Sequence, residues 1–167
     1  GYATTAFDLW PETSKMILVL LMFIGACAGS TGGGFKISRL LILCKAIPKQ
    51  LSLVIHPREV KVIRMDGKPI DHNTLRSTNV YLAIYFFILL VSTLLISVDN
   101  FNLTTNFTAV ASTLNNIGPG LDSVGPTRNF GMYSDFSQFG LMFDMLAGRL
   151  ELYPLLILFM PSLWRRK

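Results

Sequence analysis

Charge is scarce in this chain. Only 15% of its 167 residues are Asp, Glu, Lys or Arg, while 51% are hydrophobic and the mean hydropathy is +0.47. A soluble domain carries about 25% charged residues, so the composition excludes an ordinary water-soluble fold and points to an integral membrane protein. Cysteine and histidine are scarcer still, with two of each. Cys27 and Cys44 lie far apart, in or beside one apolar stretch with no histidine near them, which argues against a disulfide or a zinc site. Both read as packing residues. His56 and His72 fall in a polar connection, and no nucleophile stands beside a base in the sequence. The basic residues outnumber the acidic ones, 15 to 10, but they cluster at the ends of apolar segments. Such charge sets topology and does not form a nucleic-acid-binding face. An initiator methionine and a signal-peptide pattern are also missing, and the opening Gly1-Tyr2-Ala3-Thr4-Thr5 reads as the interior of something longer.

What the chain does have is glycine concentrated in one apolar run. GACAGSTGGGFK, Gly25 to Lys36, holds Gly29, Gly32, Gly33 and Gly34. Each glycine costs about 1 kcal/mol relative to alanine inside a helix. Irregular backbone at membrane depth is tolerated only where it packs in protein or lines a wet cavity, so the run predicts a break beside a transport path. Helix packing through Gly25 and Gly29, a small-xxx-small pair, is an alternative, but it leaves Gly32 to Gly34 unexplained. A phosphate-binding loop is excluded, because it needs Lys directly after its last glycine and then a hydroxyl. Here Phe35 intervenes and Ile37 follows Lys36.

Met16 to Ile47 reads as one long interrupted transmembrane helix. If fully helical it would run about 48 Å, more than the roughly 30 Å hydrocarbon core, so its far end should protrude and meet Pro48. The following EVKVIRMDGKPI has a hairpin pattern with Asp66-Gly67 at the turn. Val80 to Val98 is nineteen residues without a charge, long enough to span. Asn102 to Leu114 is amphipathic and about 20 Å long if helical, which predicts a re-entrant half-helix. It runs into NNIGPG, Asn115 to Gly120, where the helix must stop. Phe139 to Trp164 is the last span, interrupted by Asp144, Arg149, Glu151, Pro154 and Pro161. Seven basic residues, Lys45, Lys49, Arg58, Lys61, Arg64, Lys68 and Arg76, run from the end of the first span to just before the second, and Arg165, Arg166 and Lys167 close the chain. The connection from Asp99 to Gln138 carries only Arg128. The positive-inside rule therefore puts the hairpin and the C-terminus in the cytoplasm and NNIGPG outside.

Helix, half-helix, extended turn and helix is the plan of a potassium-channel subunit, in which turn carbonyls replace an ion's hydration shell. The C-terminal end of the half-helix dipole favours a cation there. An ordinary surface turn at Gly118-Pro119-Gly120 is the alternative. A short internal repeat supports the first reading. Gly1 precedes the first span as Gly118 precedes the last, and Ala28-Gly29 recurs as Ala147-Gly148. Aligned in this way, Arg149 stands level with Ser30. An arginine well inside a span marks a functional site with a partner, here the carbonyls of Gly29 to Gly34, Asp144 or Glu151. A structural ion pair between helices is the alternative. Asp144, nearer the outer end, is expected to be solvated at the pore mouth, and Gly120 lies past the expected ion sites.

GACAGSTGGGFK, HPREVKVIRMDGK, NNIGPGLDSVGP and MLAGRLELYPLLILFMPSLWRR together resemble the Trk/Ktr/HKT superfamily of potassium transporters, and among them the bacterial Trk membrane subunits. The resemblance covers nearly the whole chain. It implies an all-α integral membrane fold of helix-pore loop-helix repeats with a small cytoplasmic β-hairpin. Residues 1–47 would end a third repeat, with its filter end, outer loop and gating loop 28–35. Residues 48–79 would form the cytoplasmic connection. Residues 80–167 would form a fourth repeat with helix 80–98, pore helix 102–114, filter 115–120 and helix 139–164. The filter would comprise Gly1, Tyr2, Asn116, Ile117, Gly118 and Pro119, with K⁺ held by the carbonyls of Gly1, Asn116, Ile117 and Gly118. The gate would comprise Gly29, Ser30, Thr31, Gly32, Gly33, Gly34 and Arg149. The implied activity is K⁺ uptake across the bacterial cytoplasmic (inner) membrane, with K⁺ as transported ion and no covalent cofactor. Implied partners are the missing repeats of a longer chain, a second copy in a homodimer, the lipid bilayer, and a cytoplasmic nucleotide-binding regulatory ring. Nucleic acid is not among them. A membrane-embedded enzyme using Asp144, Arg149 and Glu151 on polar head groups is the alternative function.

Overall fold

The computed structural model describes residues 3–27, 34–56, 62–65, 67–150, 154 and 157. Its elements in chain order are α1 (Glu12–Ile24), α2 (Ile37–Ile55), β1 (Arg64–Met65), β2 (Lys68–Pro69), α3 (His72–Ile96), α4 (Leu103–Leu114) and α5 (Asp135–Leu150). Pro154 and Ile157, beyond α5, are also helical.

The first span is interrupted earlier than its glycine run suggests. α1 stops at Ile24 because Gly25 takes φ +72°, a conformation open to glycine without a Cβ penalty. The chain returns before α2 begins: the Ile37 amide donates to the Ala26 carbonyl at 3.1 Å. Ala26 and Ile37 thus hold the facing ends of the two helices together. Residues 28–33, which hold most of the expected gate, lie outside the described residues, as do Gly1 and Tyr2. α2 also runs on through Pro48 to Ile55. A proline removes one intrahelical hydrogen bond and can kink a helix, but it does not end this one. β1 and β2 pair antiparallel, Arg64 with Pro69 and Met65 with Lys68, around Gly67 at φ +77°.

α3 starts at His72, a full two turns before the apolar run, with Asp71 at its N-cap position. Its 25 residues span about 37 Å. Among the described residues it is the one helix long and apolar enough to cross a membrane, with a mean hydropathy of 2.4 over its best window. Hydroxyls inside it are satisfied locally, Thr78 Oγ1 on the Thr74 carbonyl at 2.8 Å and Thr93 Oγ1 on the Leu89 carbonyl at 2.7 Å, so they add no unpaired polar group to the span.

The arrangement is polar at its centre and apolar outside. α4 is the most buried element, and Thr105, Asn106, Thr108, Ser112 and Thr113 are buried along it with Ala109, Val110, Ala111 and Leu114. The exposed side chains include Phe86, Phe87, Leu90 and Leu94 of α3 and Phe139 and Leu146 of α5. Large contiguous apolar surface on helices packed around a polar half-helix is what a lipid-facing protein requires. α4 is about 18 Å long, too short to cross.

Gly148 lets α5 press directly on the end of α4. A Cβ there would overlap the Leu114 carbonyl oxygen and lie 2.8 Å from Asn116 Nδ2. Gly148→Ala is expected to destabilise the protein by about 1–3 kcal/mol, the usual range for overpacking. Its thermal midpoint in detergent checks this, and a midpoint within a degree of wild type would contradict it.

Candidate functional site

α4 is pinned at both ends. At its start Asn102 Oδ1 caps the helix, accepting from the Thr105 amide at 2.8 Å. The carboxylate of Asp122, in the loop after the turn, accepts from Asn102 Nδ2 and from Thr105 Oγ1. These donors, Asn102 first, hold the Asp122 carboxyl below the usual carboxylate range. A depressed folded value means that its contribution is complete at neutral pH and is lost only as the pH falls through that value. Further along, Thr108 Oγ1 accepts from the Leu121 amide at 3.1 Å and the Gly120 amide donates to the Val124 carbonyl at 2.8 Å, so the loop folds back on the half-helix.

At its other end the helix stops in the turn 115–120. Asn116 takes φ +54° and Gly118 φ +118°, the first a left-handed conformation that Asn tolerates and the second one that favours glycine. The Ile117 amide still donates to the Ser112 carbonyl at 2.9 Å. Ser112 Oγ donates to the Gly118 carbonyl. The Gly118 oxygen is therefore engaged by α4 in this conformation. Gly118 itself is exposed, and Asn116, Ile117 and Pro119 are half-buried.

Three parts of the chain converge on this turn. Ala3, Phe7, Leu18, Leu21 and Met22 line a cavity of about 340 Å³ together with Ile117 and Pro119, which brings the start of the chain and α1 against the turn. Gly34, the described end of the glycine run, abuts the Asn115 side chain so closely that a Cβ would overlap Asn115 Oδ1. From α5, the Met145 carbonyl accepts from Asn116 Nδ2 at 3.1 Å. Arg149 and Asn116 line one open cavity of about 530 Å³ with Met142, Met145 and Leu146. The structure therefore brings Gly34, Asn115, Asn116 and Arg149 to one end of α4.

Asp144 does not belong to this group. It is fully buried, not solvated at a mouth, and Ser92 Oγ of α3 donates to its Oδ1 at 2.7 Å, while Oδ2 has no hydrogen-bond partner among the described residues. The reason is rotation: Asp144 shares the inward face of α5 with Leu141 and Ala147, whereas Arg149 lies on the exposed side. Glu151 lies outside the described residues. Tyr85 is a residue that the sequence did not single out, and Asn115 was read only as the first residue of the 115–120 turn; the two are joined by a buried hydrogen bond from the Tyr85 hydroxyl to Asn115 Oδ1 at 2.9 Å. A signal existed in the Tyr81/Tyr85 pair, one turn apart on a mostly aliphatic span.

A model of the TrkH family, described as cation transport protein, matches residues 1–166. The chain belongs to that family. It is 38% identical over 165 residues to the Trk system potassium uptake protein TrkH of Vibrio parahaemolyticus, covering 99% of this chain and 34% of that protein. It is 36% identical to the same protein of Escherichia coli over an equal extent. The crystal structure of the potassium transporter TrkH from Vibrio parahaemolyticus superposes with a TM-score of 0.87 at 38% identity, covering 99% of this chain and 35% of that one. The chain spans about a third of the length of these relatives, and its mostly helical structure matches that part of the solved transporter.

Proposed function

We propose that this chain contributes to potassium uptake across the bacterial inner membrane, with the turn 115–120 as one strand of a carbonyl-lined filter. The observation that carries the reading is the convergence of Gly34 and Arg149 on the end of α4, directly beside Asn115 and Asn116. The negative end of the α4 dipole points at the same place and favours a cation. Asn116 and Ile117 are the filter carbonyls this geometry favours, with Gly118 joining them if its bond to Ser112 exchanges for an ion. Gly1 and Tyr2 would supply the equivalent strand of the preceding repeat. The basic residues of the 45–76 connection put that segment and the hairpin in the cytoplasm.

The intramembrane loop, Gly29 to Gly34, and Arg149 form the gate in this reading. An arginine at membrane depth needs partners, and loop carbonyls at a glycine-rich break are suited to it. The resemblance to Trk subunits supports a homodimer and a cytoplasmic nucleotide-binding ring as partners. The enzyme alternative has little left, because Asp144 is committed to Ser92 and the relatives are named as potassium uptake proteins.

Uptake of Rb⁺ by potassium-uptake-deficient cells expressing the full-length protein tests the gate. Arg149→Ala is expected to raise the basal rate, and its effect should not add to that of shortening the loop, since both disable one element. Effects that add on the logarithm of the rate would place Arg149 elsewhere.

A further inference from the structure

The loop and the filter turn meet through a specific set of side chains. Phe35, immediately after Gly34, is buried between two tyrosines of α3, with ring centroids 6.2 Å from Tyr81 and 6.3 Å from Tyr85. Tyr81 and Tyr85 stack on one another, and the Arg39 guanidinium of α2 sits 3.9 Å over the Tyr81 ring. The Tyr85 hydroxyl reaches past this cluster to Asn115 Oδ1 at 2.9 Å, and Asn115 Nδ2 donates to the Ala111 carbonyl at 2.7 Å. Gly34 abuts the same amide oxygen from the loop side. Asn115 therefore receives the loop by two routes, one direct through Gly34 and one through Phe35 and Tyr85. The next residue is Asn116, whose φ of +54° begins the filter turn.

We propose that Tyr85 and Asn115 are positioning residues that couple the end of the glycine run, Gly34 and Phe35, to the filter turn, so that the position of those two residues sets the turn's ion discrimination. This rests on the potassium-uptake reading above. The physical basis is that a buried amide with its oxygen shared by a tyrosine and a close-packed glycine has few alternative positions. Moving Gly34 and Phe35 changes the packing on Asn115 and on the Tyr85 ring, and a shift that breaks the Tyr85–Asn115 bond leaves a buried acceptor unsatisfied, which is unfavourable. Interfaces of this kind switch between discrete arrangements instead of deforming smoothly.

The chain supplies its own control. Tyr133 donates to Asn106 Oδ1 at 3.0 Å, a second buried tyrosine–asparagine bond on the same helix α4 but near its opposite end. Tyr85→Phe and Tyr133→Phe each remove one hydroxyl and keep the ring, so a purely structural role predicts similar losses of abundance and thermal midpoint from both. The measurement is inhibition of Rb⁺ uptake by Na⁺ in cells expressing the full-length protein. Tyr85→Phe is expected to make Na⁺ inhibit at about fivefold lower concentration, the change that about 1 kcal/mol produces, while Tyr133→Phe keeps wild-type inhibition. Gly34→Ala approaches Asn115 from the loop side and should shift inhibition in the same direction without adding to Tyr85→Phe. Wild-type inhibition in both Tyr85→Phe and Gly34→Ala would overturn the coupling, as would equal shifts in Tyr85→Phe and Tyr133→Phe. A wild-type protein that gives no Rb⁺ uptake at all would instead overturn the potassium-uptake reading on which the coupling rests.

Discussion

Deletion of Gly32 to Gly34 in the full-length protein is expected to raise Rb⁺ uptake about tenfold, equivalent to removing about 1.4 kcal/mol of barrier. Of the three, Gly34 is described, and it lies against Asn115 at the end of α4. On either side of the glycine run the Ile37 amide donates to the Ala26 carbonyl. Removing Gly32 to Gly34 need not move α1 or α2, because the Ala26–Ile37 bond already holds their facing ends together. Loop-closure entropy changes only slowly with length, so the deletion should be tolerated by the fold. Uptake unchanged or lost in protein that reaches the membrane in normal amount would show that the loop is no obstruction. Because Gly34 also touches Asn115, the deletion should weaken Na⁺ exclusion while it raises the rate.

Much of this arrangement could be read from the residues, and what could not has identifiable causes. The half-helix was legible because its length, its amphipathic character and the NNIGPG stop all come from local sequence, and α4 begins within one residue of the expected position. The ends of α1 and α3 were not. Gly25 ends α1 four residues before the main glycine cluster because it adopts a positive φ, which composition alone does not distinguish from a packing glycine. α3 starts before its apolar run because helix formation depends on backbone hydrogen bonding and Asp71, whereas hydropathy marks only the part facing lipid. Asp144 looked like a residue of the pore mouth from its depth alone. Its actual place, against Ser92 in the α3–α5 contact, depends on helix rotation, and with apolar residues all around that part of α5 the periodicity was too weak to set the rotation. Tyr85–Asn115 joins residues 30 positions apart, a pairing that local pattern does not reveal.

Gly118→Ser is expected to make Na⁺ inhibit Rb⁺ uptake at about tenfold lower concentration while leaving the protein folded. Gly118 has φ +118°, in the range where any Cβ is strained, and holding a residue in such a region takes about 1–3 kcal/mol. The turn has little freedom to absorb this. Pro119 fixes its own φ and restricts the residue before it, while Ser112 Oγ holds the Gly118 carbonyl from inside α4. The strain must therefore rotate the peptide units on either side, which carry the Ile117 and Gly118 carbonyls. Gly118 is exposed, so the added side chain displaces no core residue and the fold should survive. Gly120, although it lies past the expected ion sites, is not a mild comparison. A Cβ there would lie 2.7 Å from Val124 Cγ2 and 3.1 Å from the Thr108 carbonyl oxygen, so Gly120→Ser is expected to lower abundance while the protein that remains keeps normal discrimination. Gly140→Ser is the neutral comparison, since a Cβ at that position of α5 meets nothing within 4 Å. Na⁺ competition measured for the three variants at matched membrane abundance separates these effects. Wild-type discrimination in Gly118→Ser, or a greater loss in Gly120→Ser, would move the filter away from residues 116–119.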